Sequence, residues 1–220
     1  MTRGRNLDRT TKNKKPTTAQ FAAFQAMYDY FNRVLFAGSL CSVILNFSRA
    51  AHSLGFFAPD RWAETKDKST VHEISLNPAH LATRPAREVA ATLAHEMAHC
   101  WQQEHGTPSA GGYHNKEWAA KMDEIGLVPS ATGAPGGAKV GFRMTHYIAD
   151  GGPFALAFDA MPAEHLLPWS SWEPEKARRK SAPAPKSKVK YTCPDCGANA
   201  WGKPELHLVC GDDGEQMLSA

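Results

Sequence analysis

The chain has 220 residues, and 25 Lys and Arg against 22 Asp and Glu give it a formal net charge of +3. Apolar residues make up 42% of the chain, a share typical of globular proteins with a buried core. No stretch of about 18 apolar residues is present, which excludes a transmembrane helix, and the polar, basic residues 1–18 do not resemble a secretory signal. Five cysteines, three of them in residues 191–220, favour a reducing, cytoplasmic setting and a metal site near the C-terminus over a disulfide framework.

Formal charge is unevenly distributed along the chain. Residues 1–18 and 173–190 each carry a net charge of +5, whereas residues 19–172 carry −3 and residues 191–220 carry −4. The two basic segments lack apolar periodicity. We therefore predict a disordered arm at 1–18, a folded domain at 19–172, a mobile Pro/Ala/Lys linker at 173–190 and a small unit at 191–220. Basic segments of this kind are either solvated tails or contacts to a polyanion such as DNA, and charge alone leaves both interpretations open.

Periodicity in the first folded segment predicts both helices and strands. Apolar residues spaced by three and four predict a helix that begins at Ala19 and is capped by Thr17 or Thr18. The later elements are predicted as strands at 41–47, 52–57 and 71–76, followed by helices at 85–105 and 115–125. Residues 129–141 are rich in Gly, Pro and Ala and predict an irregular loop, and residues 142–172 show no clear period.

An H-E-x-x-H motif lies in the middle of the predicted helix 85–105. Its histidines, His95 and His99, are four residues apart and share one helical face, so both imidazoles can reach one metal ion. A metal held there polarises a water molecule, and Glu96 can take the proton, which is the chemistry of zinc proteases. The alternative is a buried helix whose two histidines hydrogen-bond to neighbouring groups.

A catalytic zinc site needs a third protein ligand and an open fourth position. His105 has the spacing of a longer zinc motif, but Gln102 stands where that motif has a helix-ending glycine. On a continued helix, six residues rotate by about 240°, which turns His105 away from the metal face. Glu117 or Glu124 on the next helix could serve instead, as could His114 after a glycine-rich loop, and the residues alone leave these options open.

The motif and its surroundings resemble the SprT/Spartan-type metalloprotease domain, in particular its bacterial members. His-Glu-Met-Ala-His at 95–99 is followed by His-Asn-Lys-Glu-Trp at 114–118, and the upstream segments 35–40 and 72–77 also match family features. The resemblance covers roughly residues 20–125 and 190–215 and leaves 129–172 unmatched.

This resemblance implies an α+β, zincin-like domain with a small mixed sheet and an active-site helix. It implies that His95, His99 and His114 bind a catalytic Zn²⁺ and that Glu96 is the general base. The strand at 71–76 would form an exposed sheet edge beside the cleft, where an extended protein substrate adds by main-chain hydrogen bonds. Some family members act on DNA–protein crosslinks, so the resemblance implies protein substrates that can include DNA-associated or DNA-crosslinked proteins.

The C-terminal segment combines two halves of a metal-binding pattern. Cys193 and Cys196 form a C-x-x-C half, and Cys210 begins a second half in which Asp213 replaces the expected cysteine. The segment resembles the zinc ribbon of SprT-like proteins, and a second Zn²⁺ could be bound by three cysteines with Asp213 or with His207. A unit of about 30 residues has too little core to fold readily without a metal. The metal-free alternative is a degenerate ribbon held by Trp201, Leu206, Leu208 and Val209.

Taken together, the residues predict a zinc metalloendopeptidase with two zinc sites and DNA contacts through arm, linker and ribbon. It is expected in the cytoplasm, in association with the nucleoid where it binds DNA. The alternatives are a non-catalytic, nucleic-acid-associated zinc protein with regulatory function and a chaperone-like factor with a vestigial site. Glu96 separates them, because a purely structural site needs no base beside an open position. No spacing supports His146 or Tyr147 as an electrophile, and three histidines favour zinc over manganese or cobalt.

Overall fold

A computed structural model describes residues 15–49, 53–171 and 188–219. The chain divides into two compact units, Met1–Ser171 and Trp172–Ala220. The predicted arm up to residue 14 and residues 173–187 of the predicted linker lie outside the described residues. No helix in the described ranges combines the length and apolar character needed to cross a membrane.

The first unit contains four α-helices: α1 Pro16–Leu35, α2 Ala86–His105, α3 Lys116–Glu124 and α4 Pro153–Ala160. The start predicted for α1 at Ala19 is wrong by three residues, because Pro16, whose fixed φ suits the first helical turn, begins the helix. Lys15 is its N-cap residue, and no side chain caps it. α4 lies in the stretch 142–172. With 8 residues it is too short to produce a readable apolar period.

Three strands of the first unit form a mixed sheet: β1 Ile44–Phe47, β2 Gly55–Ala63 and β3 Thr70–Leu76. Their order is β1-β3-β2, with β3 parallel to β1 and antiparallel to β2. The prediction that 71–76 forms a sheet edge is therefore wrong: β3 is central, and its residues His72 to Leu76 are buried. β1 and β2 are the two edge strands, and Pro59 of β2 lies at a break in the register, where a missing N–H donor is tolerated.

A second, two-stranded sheet joins β4 Leu127–Ser130 to β5 Thr145–Ile148. Both strands lie in or next to stretches that showed no strand pattern, since each is only four residues long and carries polar side chains. The antiparallel pairing of β4 with β5 folds the intervening loop back and places His146 opposite Pro129.

The core of the first unit surrounds α2, which is buried on nearly every face. Phe24 and Phe31 of α1, Trp118 of α3 and Phe154 of α4 are fully buried and belong to the same cluster as the apolar residues of α2. Four buried alanines of α2 let neighbouring backbones approach the helix closely: Ala90, Ala91, Ala94 and Ala98. The predicted mixed α+β organisation is thus confirmed, with the H-E-x-x-H helix at its centre.

The second unit is built on a three-stranded antiparallel sheet, β6 Val189–Thr192, β7 Asn199–Gly202 and β8 Leu218–Ser219, in the order β7-β6-β8. Its core consists of Tyr191, Cys193, Cys210 and Met217. Of the side chains named for a metal-free core, only Leu208 packs against this cluster. Trp201 is 64% exposed, because strand alternation directs it to the face opposite Ala200, and Leu206 and Val209 are also exposed.

Candidate metal centre

Two of the predicted metal ligands, His95 and His99, lie on the same face of α2 with ring centroids 5.2 Å apart. Desolvation, together with the smaller effect of neighbouring imidazoles, lowers the pKa of His95 well below its ordinary value and that of His99 to about 3. Both rings are therefore neutral at physiological pH, which is the form that binds a metal.

The third predicted ligand, His114, is the residue before the N-cap of α3. The Asn115 side chain caps that helix by accepting from the backbone N–H of Trp118 at 3.0 Å. Two backbone hydrogen bonds join His114 to Gly141, and the ring donates from Nδ1 to the Gly141 carbonyl at 3.0 Å. Its Nε2 therefore keeps a free lone pair, and this atom lies 3.1 Å from Nε2 of His99.

The three histidines fit one zinc ion. Each offers one ligand nitrogen, and these atoms all lie within 4.8 Å of one another. Two nitrogens bound tetrahedrally at the usual zinc–nitrogen distance are separated by about 3.3 Å, close to the spacing between His99 and His114. Burial also lowers the pKa of His114. The structure thus brings together the set that the family resemblance implied.

The alternative third ligands have other partners. Nε2 of His105 lies 3.0 Å from the Ser39 carbonyl, outside the histidine cluster. Glu117 accepts from the Thr107 backbone N–H and from the Gln102 side chain, both at 2.7 Å, and Glu124 pairs with a lysine on its own helix.

Gln102 has a role that its position in the motif did not reveal. Its Nε2 donates to Asn115 at 2.8 Å as well as to Glu117, so it connects the end of α2 to the start of α3. Gly106 allows this contact, since a Cβ there would collide with the Glu117 carboxylate. These contacts return the chain so that His114 faces α2.

Glu96 lies beside the histidines at the wall of a cleft of about 1000 Å³. Its side chain is 6% exposed, and burial raises its pKa to about 8, although the backbone N–H of Phe57 donates to it and opposes the rise. The cleft is also lined by Gly55, Phe56, Phe57 and Pro59 of β2 and by the loop before His114. A carboxylate with a raised pKa beside three metal-binding nitrogens is suited to accept and release a proton.

Two residues that sequence reasoning did not assign to the site complete it. The fully buried Trp118 stacks on His99 at 5.2 Å and meets His95 and His114 edge-on at 4.9 and 4.4 Å, so it holds all three rings in place. His146 lines the cleft, and its Nδ1 lies 3.1 Å from Nδ1 of His95. Trp118 could have been found from the family motif, whereas no spacing signal pointed to His146.

The cysteine pattern of the second unit also converges. Cys193 donates to Asp213 at 3.1 Å, Cys196 lies 3.5 Å from Cys210, and the four ligand atoms lie within 4.8 Å of one another. The two halves have matching turns, in which Gly197 and Gly214 donate backbone N–H groups to the carbonyls of the first cysteine of each half.

Of the two candidates for the fourth ligand, the structure places Asp213 with the cysteines. The backbone N–H of Glu215 holds the pKa of Asp213 at about 2, so the carboxylate is ionised. His207 instead has its Nδ1 3.2 Å from the Gln216 side chain.

A third group with metal-ligand chemistry consists of Cys41, His72 and Glu104. Nδ1 of His72 accepts from the backbone N–H of Asp60 at 2.9 Å. The neutral ring therefore carries its proton on Nε2, which donates to Glu104 at 2.7 Å. Because neither nitrogen of His72 has a free lone pair, we read this group as a hydrogen-bonded network between buried His72 and exposed Glu104 and not as a metal site.

Comparison with known proteins gives one family match. The SprT-like family model matches residues 24–138, more than half of the chain, and this range contains the C-terminal part of α1, the three-stranded sheet, α2 and His114. A search of curated proteins gave no match. By its sequence, the chain belongs to the SprT-like family.

Proposed function

We propose that the chain is a zinc-dependent metalloendopeptidase with a zincin-like active site. The observation that carries the proposal is the convergence of three neutral imidazoles and a buried carboxylate on one open cleft. SprT-like proteins are generally zinc metallopeptidases. A structural zinc site would need neither an open cleft nor Glu96, and this argues against the non-catalytic alternative.

In the proposed mechanism His95, His99 and His114 hold the metal and Glu96 moves the proton. Zinc, when bound, supplies the Lewis acidity that polarises water and the scissile carbonyl. Glu96 accepts a proton from the attacking water and delivers it to the departing amine nitrogen. Phe57, whose backbone N–H donates to Glu96, orients the carboxylate.

The substrate strand is proposed to bind along β2. One side of β2 pairs with β3 between Gly55 and Ala58, and Gly55, Phe56 and Phe57 of this stretch also line the cleft. An extended polypeptide can add to this edge through main-chain hydrogen bonds, which depend little on side-chain identity. The proposed substrates are therefore proteins cleaved with loose sequence preference, including proteins bound or crosslinked to DNA.

The second unit is proposed to be a zinc ribbon that binds DNA together with the basic segments. Cys193, Cys196, Cys210 and Asp213 are the proposed ligands of a second Zn²⁺. Trp201 is exposed and pairs across strands with Lys190, an arrangement suited to stacking on a base while contacting a phosphate. A cytoplasmic location with nucleoid association follows from this proposal.

The test is incubation of the zinc-loaded chain with a DNA-bound protein, with and without the DNA. We expect wild type to cleave, and to cleave faster when DNA is present, whereas Glu96→Gln should not cleave. Glu88→Gln is the matched control, because Glu88 lies on the same helix and pairs with Arg84 at the surface. Cleavage by Glu96→Gln at the wild-type rate would overturn the proposal.

A further inference from the structure

His146 contacts the candidate metal centre through His95, one of its three proposed ligands. Its Nδ1 lies 3.1 Å from Nδ1 of His95, with ring centroids 5.3 Å apart. It belongs to β5 and does not share the group of converging ligand nitrogens formed by His95, His99 and His114.

Because His146 lies outside the group of converging ligand nitrogens, the 3.1 Å between the two Nδ1 atoms is the length of a hydrogen bond, in which exactly one of them carries the proton. Since Nδ1 of His95 faces His146, Nε2 of His95 is the nitrogen left to face the metal. A neutral imidazole that binds a metal through Nε2 carries its proton on Nδ1. His95 is therefore the donor, and Nδ1 of His146 is the acceptor.

We propose that His146 is a positioning residue for His95, in that its Nδ1 accepts the Nδ1–H of His95 and fixes the tautomer and ring orientation that direct Nε2 to the metal. The inference rests on the proposed zinc site. Metal-bound histidines generally donate their second ring N–H to a carboxylate, carbonyl or water, and here the acceptor is an imidazole. His114 follows the common form, since its Nδ1 donates to the Gly141 carbonyl.

The rest of the site supports this role. Trp118 packs edge-on against the His95 ring with ring centroids 4.9 Å apart, so both this packing and the hydrogen bond hold the ring. The β4–β5 pairing, which sets Pro129 opposite His146, fixes the acceptor from a different part of the fold. His95 lies on α2, but its ring is therefore oriented by residues of α3 and β5.

The experiment measures zinc affinity of the full chain by competition with a chelator, for wild type, His146→Leu and His146→Asn. Loss of an outer hydrogen-bond partner typically weakens metal binding by about 10–100-fold, and we expect this for His146→Leu at the histidine site. Asn places its amide oxygen close to the position of Nδ1, so His146→Asn should recover most of the loss. The cysteine cluster of the same chain is the internal reference, whose affinity should not change.

A second measurement follows the proton itself. In the zinc-loaded protein, NMR should show a downfield Nδ1–H signal of His95 that is slow to exchange in wild type and His146→Asn and is lost in His146→Leu. His80→Leu is the matched control, because His80 is a half-buried histidine that does not line the cleft.

The proposal is overturned if His146→Leu keeps wild-type zinc affinity and the His95 signal. It is equally overturned if folded His146→Asn binds zinc as weakly as His146→Leu. Because these readouts need no proteolysis, a chain that binds zinc as expected but cleaves nothing would contradict the proposed function and leave this inference standing.

Discussion

The Nε2 atoms of His99 and His114 lie 3.1 Å apart although 15 residues separate them in the chain. α2 continues past His99 to His105, so the third ligand cannot come from the helix itself. The hydrogen bonds from Gln102 to Asn115 and Glu117 return the chain to α2 and bring His114 to its partner.

Replacing His114 should remove the zinc of the first unit. We expect His114→Ala to bind one zinc fewer per chain than wild type, because only two imidazoles remain. His105→Ala should keep full zinc content, since His105 faces the Ser39 carbonyl. Metal analysis after dialysis against a mild chelator measures both, and the reverse pattern would refute the proposed ligand set.

Replacing the proposed base should separate metal binding from chemistry. Glu96→Gln should keep the zinc, because the carboxylate is not a ligand, and should lower the cleavage rate by about 10²–10⁴-fold, or about 3–5 kcal/mol of barrier. Zinc content and single-turnover cleavage of a fluorescent protein substrate measure the two effects. Loss of zinc together with activity would indicate that Glu96 is a ligand instead.

The raised pKa of Glu96 should appear in the stability of the zinc-free protein. The carboxyl loses its proton near its ordinary pKa of 4.5 in the unfolded chain but holds it to about 8 when folded. The stability that Glu96 contributes is therefore complete below pH 4.5 and is lost as the pH rises to about 8.

Glutamine does not titrate, so the free energy of unfolding of Glu96→Gln does not fall in this way. The variant should therefore become more stable relative to wild type as the pH rises from 5 to 8. The difference should reach a few kcal/mol, since each pKa unit corresponds to about 1.4 kcal/mol. Urea unfolding with a chelator present measures it. The buried histidines titrate in both proteins, so their effect cancels in the comparison. An equal difference in free energy of unfolding at pH 5 and pH 8 would contradict the prediction.

Asp213 should be needed for the second zinc. Asp213→Ala should lower zinc affinity of the cysteine cluster, whereas Asp213→Cys should retain or strengthen it, because a fourth thiolate is a strong zinc ligand. Asp212→Ala is the control, since Asp212 is a neighbouring exposed carboxylate outside the cluster. Chelator competition provides the measurement, and equal affinity of Asp213→Ala and wild type would exclude Asp213 as a ligand.

DNA binding, if it resides in the basic segments, should depend steeply on salt. Each phosphate neutralised contributes about 0.7–0.9 log units of affinity per log unit of salt. Replacing the basic residues of 173–190 with glutamine should weaken binding and reduce this slope, and Trp201→Ala should weaken binding to single strands only. The replaced residues are Lys176, Arg178, Arg179, Lys180, Lys186, Lys188 and Lys190. Unchanged affinity and slope would exclude the basic residues of 173–190 as the DNA site.

Much of the helical framework could be predicted from the sequence because its signals are local. The apolar periodicity of α2 and the i, i+4 spacing of His95 and His99 are properties of one continuous helix. The choice of His114 came from the family resemblance, since spacing alone left His105 and two glutamates as alternatives. The family assignment itself is confirmed by the match to residues 24–138.

The tertiary structure alone decided which distant segments meet. Strand order placed β3 at the centre of its sheet and β2 at the cleft, because pairing partners are chosen by packing of the whole unit. The β4–β5 pairing brought His146 to His95, 51 residues away, through strands too short to carry a pattern. Local periodicity fixes which face a side chain occupies on its own element, but contacts between elements depend on loop closure and burial across the entire fold, which no short stretch of residues encodes.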